Sequence, residues 1–160
     1  MGWIRYVGSL IVAYTLGSVP VGYIVAKVAK KIDITKIGSG RIGGSNVLRA
    51  AGVVPAALTI LGDFFKAYGA VAITRVLLPD AWLFAALAGL FAVAGHIWSV
   101  FLGFGGGVGT ITTLGAATAL VPPAAAVAAV VAGLVILVWR YTSLGSLTVA
   151  ATLPLAFLAG

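Results

Sequence analysis

Six apolar stretches separated by short polar segments run along this chain. The first, residues 6–28, is long enough to cross the ~30 Å hydrocarbon layer of a bilayer. Its length, and the cations that follow rather than precede it, argue against a cleavable signal peptide. A second stretch covers 53–78 and carries Asp63, Lys66 and Arg75 inside it; a third covers 82–104. The fourth differs, because residues 110–121 offer only about 18 Å of helix before Pro122 and Pro123. That predicts a half-depth helix after the glycine run 105–109, tolerated only where other helices bury its ends. Two further short segments, 124–139 and 147–159, complete the set. The pattern predicts an all-α, polytopic integral membrane helix bundle, with residues 1–160 forming a single membrane domain.

Composition reinforces the pattern and removes several chemistries. At 62% hydrophobic and 8% charged residues, a chain of this size has more apolar side chain than one soluble core can bury. The absence of cysteine excludes disulfides, a thiol nucleophile and Cys-based metal sites. The acids are Asp33, Asp63 and Asp80, there is no glutamate, and His96 is the only histidine. Paired-carboxylate hydrolysis and a multi-histidine metal centre are therefore not expected, and neither is a metal or other cofactor.

Charge supplies the topology. Net charge is +7, and Lys30, Lys31, Lys36, Arg41 and Arg49 fall in the first polar loop, against Arg5 alone at the N-terminus. Cationic short loops stay cytoplasmic. The N-terminus is thus expected outside a plasma membrane, with loops 30–52, 103–109 and 140–145 on the cytoplasmic face. Trp3 and Trp82 then fall near the outer interface, and Trp98 and Trp139 near the inner one. This distribution of cations is read as a membrane feature, with no nucleic-acid partner expected.

The stretch 38–49, GSGRIGGSNVLR, carries the clearest chemistry. Gly38, Gly40 and Gly43 match the dinucleotide fingerprint formally, but no βαβ context surrounds them. The run GFGGGVGT lacks the lysine and hydroxyl pair of a P-loop. What remains is an anion cradle opening a helix that leads into the second span. Ser39, Gly40, Gly43, Ser45 and Asn46 would cap or donate, while Arg41 and Arg49 supply charge. The alternative is a re-entrant turn whose glycines permit close packing and whose arginines snorkel to lipid phosphates.

Asp63 and Lys66 lie three residues apart, share a helix face and are expected to form a structural pair that docks helices. His96 falls just beneath the glycine run, where it is either a donor to an anion or a satisfied core histidine. Residues 140–146, with Ser143 and Ser146, form a third polar cluster on the same face.

Taken in order, these clusters resemble the acyl-phosphate:glycerol-3-phosphate acyltransferase family of the PlsY type, small multi-span enzymes of bacterial phospholipid synthesis. Residues 39–49 correspond to its first motif, 95–109 to its second and 140–146 to its third, and Asp63 with Lys66 fits its second span. The resemblance covers nearly the whole chain. It implies transfer of a fatty acyl group from acyl phosphate to the 1-hydroxyl of glycerol 3-phosphate, giving lysophosphatidate, with glycerol 3-phosphate, acyl phosphate and membrane lipids as partners. It also implies that Ser39, Arg49 and the backbone of Gly105, Gly106 and Gly107 hold phosphoryl oxygens, assisted by Ser143 or Ser146. His96 and Ser143 are the candidate catalytic residues.

Two departures from the family pattern stand out. Val108 occupies the place of a lysine in the second motif and Arg41 that of an asparagine in the first. The pair reads as one cation moved across the pocket. The family usually runs on to a seventh span and a polar C-terminal motif, so an acceptor site lacking those groups is expected here. The other readings are a non-catalytic phosphate- or lipid-binding relative and a small organophosphate transporter, the latter because a glycine loop leading into a half-helix also builds transporter sites.

Overall fold

The computed structural model describes residues 2–158, which form eight α-helices joined by short loops and two single 3-10 turns. The first apolar stretch is two helices rather than one: α1 (Gly2–Ser18) and α2 (Val21–Lys30). The break falls at Val19–Pro20, where proline removes an N–H from the ladder and its ring crowds the preceding turn. A 3-10 turn, Ile34–Lys36, follows, with the Asp33 side chain accepting from the Thr35 N–H at its start.

Residues 44–51 do not run directly into the second span, as the sequence suggested. They form a separate helix, α3 (Gly44–Ala51), split from α4 (Val53–Leu77) by Gly52 at φ 93°. Only glycine adopts that backbone readily. The N-cap of α3 is Gly43, and no side chain caps it.

The third stretch is shorter than expected: α5 (Trp82–Ile97) stops well before 104, and the chain turns through Val100–Leu102 into the glycine run. Helix α6 (Thr110–Leu120) has the length read from the sequence, about 16 Å. The expected start of the next segment at 124 is corrected, because Pro122 and Pro123 are the first turn of α7 (Pro122–Trp139). There a missing N–H costs nothing, and the helix becomes long and apolar enough to cross a membrane. Helix α8 (Thr142–Leu158) begins five residues before the expected 147. The polar loop 140–145 therefore shrinks to a tight turn, and Ser143 and Ser146 lie on helix. Residues 159 and 160 of that last segment fall outside the described residues.

Small residues hold the bundle together. Gly17 lies on the Ala92 backbone, Gly95 on the backbone of Tyr14 and Ser18, and Gly115 on the Phe64 carbonyl. Between them the core is mainly alanine, including Ala13, Ala67, Ala85, Ala88 and Ala116. Lipid is as apolar as leucine, so membrane helices gain by close backbone approach rather than by hiding large side chains. The large ones, such as Val76, Leu90, Val130 and Leu137, are exposed around the outside.

Short α6 ends inside this bundle, and its terminal carbonyls need a partner. Arg75 Nη1 in α4 donates to the Ala119 carbonyl at 2.8 Å, with its guanidinium 6.0 Å from the Trp82 ring centroid.

A second, smaller core lies beneath the first polar loop. Ile34, Ile42 and Val47 are buried against Ala26, Ala51 and Ala56. Residues 31–52 are thus a folded cap on one end of the bundle, fixed by three apolar pins.

Candidate active site

Asn46 organises the cap from within. It is 2% exposed, and its Nδ2 donates to the carbonyls of Ile37 and Arg41, each at 2.9 Å, and of Ile34 at 3.4 Å. Its Oδ1 accepts from the Ser39 N–H and from Arg49 Nη2, both at 3.3 Å. The side chain is saturated by its own loop, so in this structure it shapes the cradle. The same bonds bring Ser39 and Arg49 together and leave their outer atoms, with those of Arg41, exposed.

The second loop is built on the end of α5. The Ser99 N–H donates to the Gly105 carbonyl at 3.0 Å, and the Gly107 N–H donates to the His96 carbonyl at 3.1 Å. Ser99 Oγ anchors the turn to α1 by donating to the Ser18 carbonyl at 2.6 Å. Neither Gly106 nor Gly107 has room for a methyl group: one would strike the His96 and Ile97 carbonyls, the other His96 Nε2. Gly109, at φ 90°, then turns the chain into α6.

Under this loop is a buried polar centre. Lys66 Nζ lies 2.9 Å from Asp63 Oδ1 and 2.9 Å from His96 Nδ1, and donates to the Val19 carbonyl at 2.8 Å. The lysine and aspartate side chains are 7% and 3% exposed. The expected pair forms, and it also joins the α1–α2 break to the histidine beneath the glycine loop.

The two loops face one another across a cavity of about 320 Å³. Gly40 lines it from the first loop and Gly105 and Gly106 from the second, with Tyr23, Asp33, Thr35 and Leu102 completing the wall. Asp33 is the acid of this wall. The Thr35 hydroxyl, 2.6 Å away, and the Thr35 N–H hold its carboxyl below the ordinary carboxylate range, helped by Lys36 at 3.7 Å. Sequence reasoning passed over Tyr23, Asp33 and Thr35. Asp-x-Thr just after a lysine-rich helix end is the signature of a side-chain-closed turn, and could have marked the last two.

The third cluster joins in part. Ser146 Oγ accepts from Thr110 Oγ1 at 2.8 Å at the start of α6, and donates to the Thr142 carbonyl at 3.2 Å. Ser143 is exposed on α8 and is not among the residues lining the cavity. Ser45 is half-buried in the first turn of α3, and Val108 is exposed beside the second loop.

These features define an integral membrane helix bundle with two glycine loops opposed across a small polar cavity at one end. A family model described as Glycerol-3-phosphate acyltransferase matches residues 7–159, and the chain belongs to that family. A glycerol-3-phosphate acyltransferase of Halalkalibacterium halodurans is 48% identical over 150 residues, covering 92% of this chain and 70% of that protein. One from Rubrobacter xylanophilus is 46% identical, covering 93% and 74%. The crystal structure of PlsY (YgiH), an integral membrane glycerol 3-phosphate acyltransferase, in its glycerol 3-phosphate form superposes with a TM-score of 0.88 at 36% identity. It covers 97% of this chain and 78% of that one. The lysophosphatidic acid form gives a TM-score of 0.86.

Proposed function

We propose that this protein is a membrane glycerol-3-phosphate acyltransferase that uses acyl phosphate as donor and makes lysophosphatidate. The observation that carries the reading is the cavity walled by Gly40, Gly105 and Gly106, in a chain whose relatives are named glycerol-3-phosphate acyltransferases. Both substrates bear phosphate; the N–H groups of Gly40, Gly105 and Gly107 are taken by the Ile37, Leu102 and His96 carbonyls, so among the glycines of the cavity wall it is the Gly106 N–H that is left to meet phosphate oxygens. Arg41 and Arg49, exposed on the first loop beside the wall rather than in it, supply the counter-charge in this reading, and Ser39, Gly43, Ser45 and Asn46 belong to the folded segment that presents Gly40. Ser146 supports the second wall through Thr110, and Ser143 borders the cytoplasmic approach. In this reading the cap, the glycine run and the α8 start face the cytoplasm, the N-terminus lies outside, and the acyl chain stays in the lipid.

The reaction is an acyl transfer. The 1-hydroxyl oxygen of glycerol 3-phosphate bonds to the acyl carbonyl carbon, the bond from that carbon to the phosphate oxygen breaks, and inorganic phosphate departs with the electron pair. The hydroxyl proton passes to a substrate phosphate oxygen, because Asp33, the carboxylate of the wall, is held below the ordinary range by the Thr35 hydroxyl and N–H and is a weak base. Fixed N–H dipoles and arginines stabilise the oxyanion and the leaving phosphate without reorganising. In this reading His96, buried beneath the loop and outside the cavity wall, acts on that charge from the Nε2 edge of its ring, against Gly107.

Purified protein in phospholipid vesicles, given acyl phosphate and labelled glycerol 3-phosphate, is expected to form labelled lysophosphatidate. Binding of both substrates with no product would instead fit a phosphate-binding relative, and uptake of label without donor would fit a transporter.

A further inference from the structure

The His96 ring is held on both of its nitrogen edges. Lys66 Nζ lies 2.9 Å from Nδ1, while Gly107 packs directly against Nε2. Lys66 Nζ has three neighbours on this side of the bundle: the Val19 carbonyl at 2.8 Å, His96 Nδ1 at 2.9 Å and Asp63 Oδ1 at 2.9 Å. An ammonium group carries three N–H donors and no acceptor. A cation held by a buried carboxylate therefore meets Nδ1 only through that atom's lone pair, which leaves the ring proton on Nε2. The competing arrangement has Nδ1 protonated and donating to Asp63. It is disfavoured by distance, because Asp63 Oδ1 is 3.4 Å from Nδ1 but 2.9 Å from Lys66 Nζ.

We infer that Lys66, steadied by Asp63 and the Val19 carbonyl, fixes His96 in the Nε2–H tautomer and so presents a ring donor to phosphoryl oxygens at the glycine loop. Lys66 and Asp63 are then positioning residues, acting through the histidine. The Val19 carbonyl lies in the helix break, outside the regular ladder of α1 and α2, so the Pro20 break, α4 and α5 all contribute to one ring orientation. The second half of the inference rests on the proposed phosphate site. The tautomer itself does not.

His96 is the sole histidine, so protein labelled with ¹⁵N-histidine gives one ring's signals with no assignment needed. The expected spectrum has a pyrrole-type Nε2 and a pyridine-type Nδ1, with the Nε2 signal shifting when inorganic phosphate is added. In Asp63→Leu/Lys66→Met, which removes both charges so that neither is stranded, the single-tautomer pattern is expected to be lost. The kcat of that variant should fall by about 100-fold, the scale of losing one oriented donor. A wild-type proton on Nδ1 or on both nitrogens overturns the tautomer assignment, as does an unchanged spectrum in the double variant. An Nε2 signal indifferent to phosphate overturns the donor role. A correct tautomer in a protein that makes no lysophosphatidate would fault the proposed reaction instead.

Discussion

Replacing Lys66 with methionine keeps the side-chain length and removes the charge, leaving the Asp63 carboxylate alone in the bundle. Both side chains are below one-tenth exposed, so water cannot compensate. Stranding one member of a buried ion pair costs about 3–5 kcal/mol. For a chain of this size each kcal/mol moves the midpoint by roughly 2–4 °C, so Lys66→Met should lower the apparent Tm in detergent by about 10 °C. Asp63→Leu/Lys66→Met strands no charge and gives up only the two hydrogen bonds to Val19 and His96, worth about 1 kcal/mol each. The double variant should therefore be more stable than Lys66→Met, with a coupling energy above about 2 kcal/mol. The assay is thermal unfolding of wild type, both single variants and the double variant under one detergent condition. A Lys66→Met protein within about 2 °C of wild type, or a double variant no better than the single, would refute the buried-pair reasoning.

Three further outcomes follow from other parts of the molecule. Gly107→Ala places a methyl group on the His96 ring edge; since Lys66 holds the ring on its far side, the loop must move, and kcat/KM should fall at least about 100-fold, checked by steady-state kinetics. Asn46→Ala leaves buried cap carbonyls without their donor and should cost about 3 kcal/mol, seen as a lower Tm and as faster proteolysis within residues 31–52. Arg41 and Val108 stand on opposite loops of the cavity, so Arg41→Asn is expected to abolish binding of inorganic phosphate and the addition of Val108→Lys to restore it. Full affinity in the single variant, measured by titration calorimetry, would show that Arg41 carries none of the missing charge.

Much of this was legible in the residues because bilayer chemistry is restrictive. Apolar length marked every segment, and the half-depth α6 followed from a dozen residues between Gly109 and the two prolines. The boundaries that escaped were set by local backbone effects. Pro20 breaks a run that hydropathy alone reads as continuous, while Pro122 and Pro123 start a helix instead of ending one. The first loop reads as glycine-rich and open, yet Ile34, Ile42 and Val47 fold it into a cap, because three apolar residues scattered over fourteen positions show no periodicity. Asn46 reads as an anion ligand by type, and only tertiary contacts reveal that its own loop uses its hydrogen bonds. The Asp63–Lys66 pair was visible from spacing, but its link to His96 spans thirty residues and needs the fold.

Whether the cavity between the two glycine loops joins an acyl phosphate to glycerol 3-phosphate, as proposed, is read from phosphate release from acyl phosphate by the purified protein, followed with and without glycerol 3-phosphate while lysophosphatidate is counted in the same sample. Release is expected only when acceptor is present, with phosphate and lysophosphatidate formed in equal amounts. Release that ignores the acceptor, or acceptor bound with neither product formed, would rule out acyl transfer at this cavity.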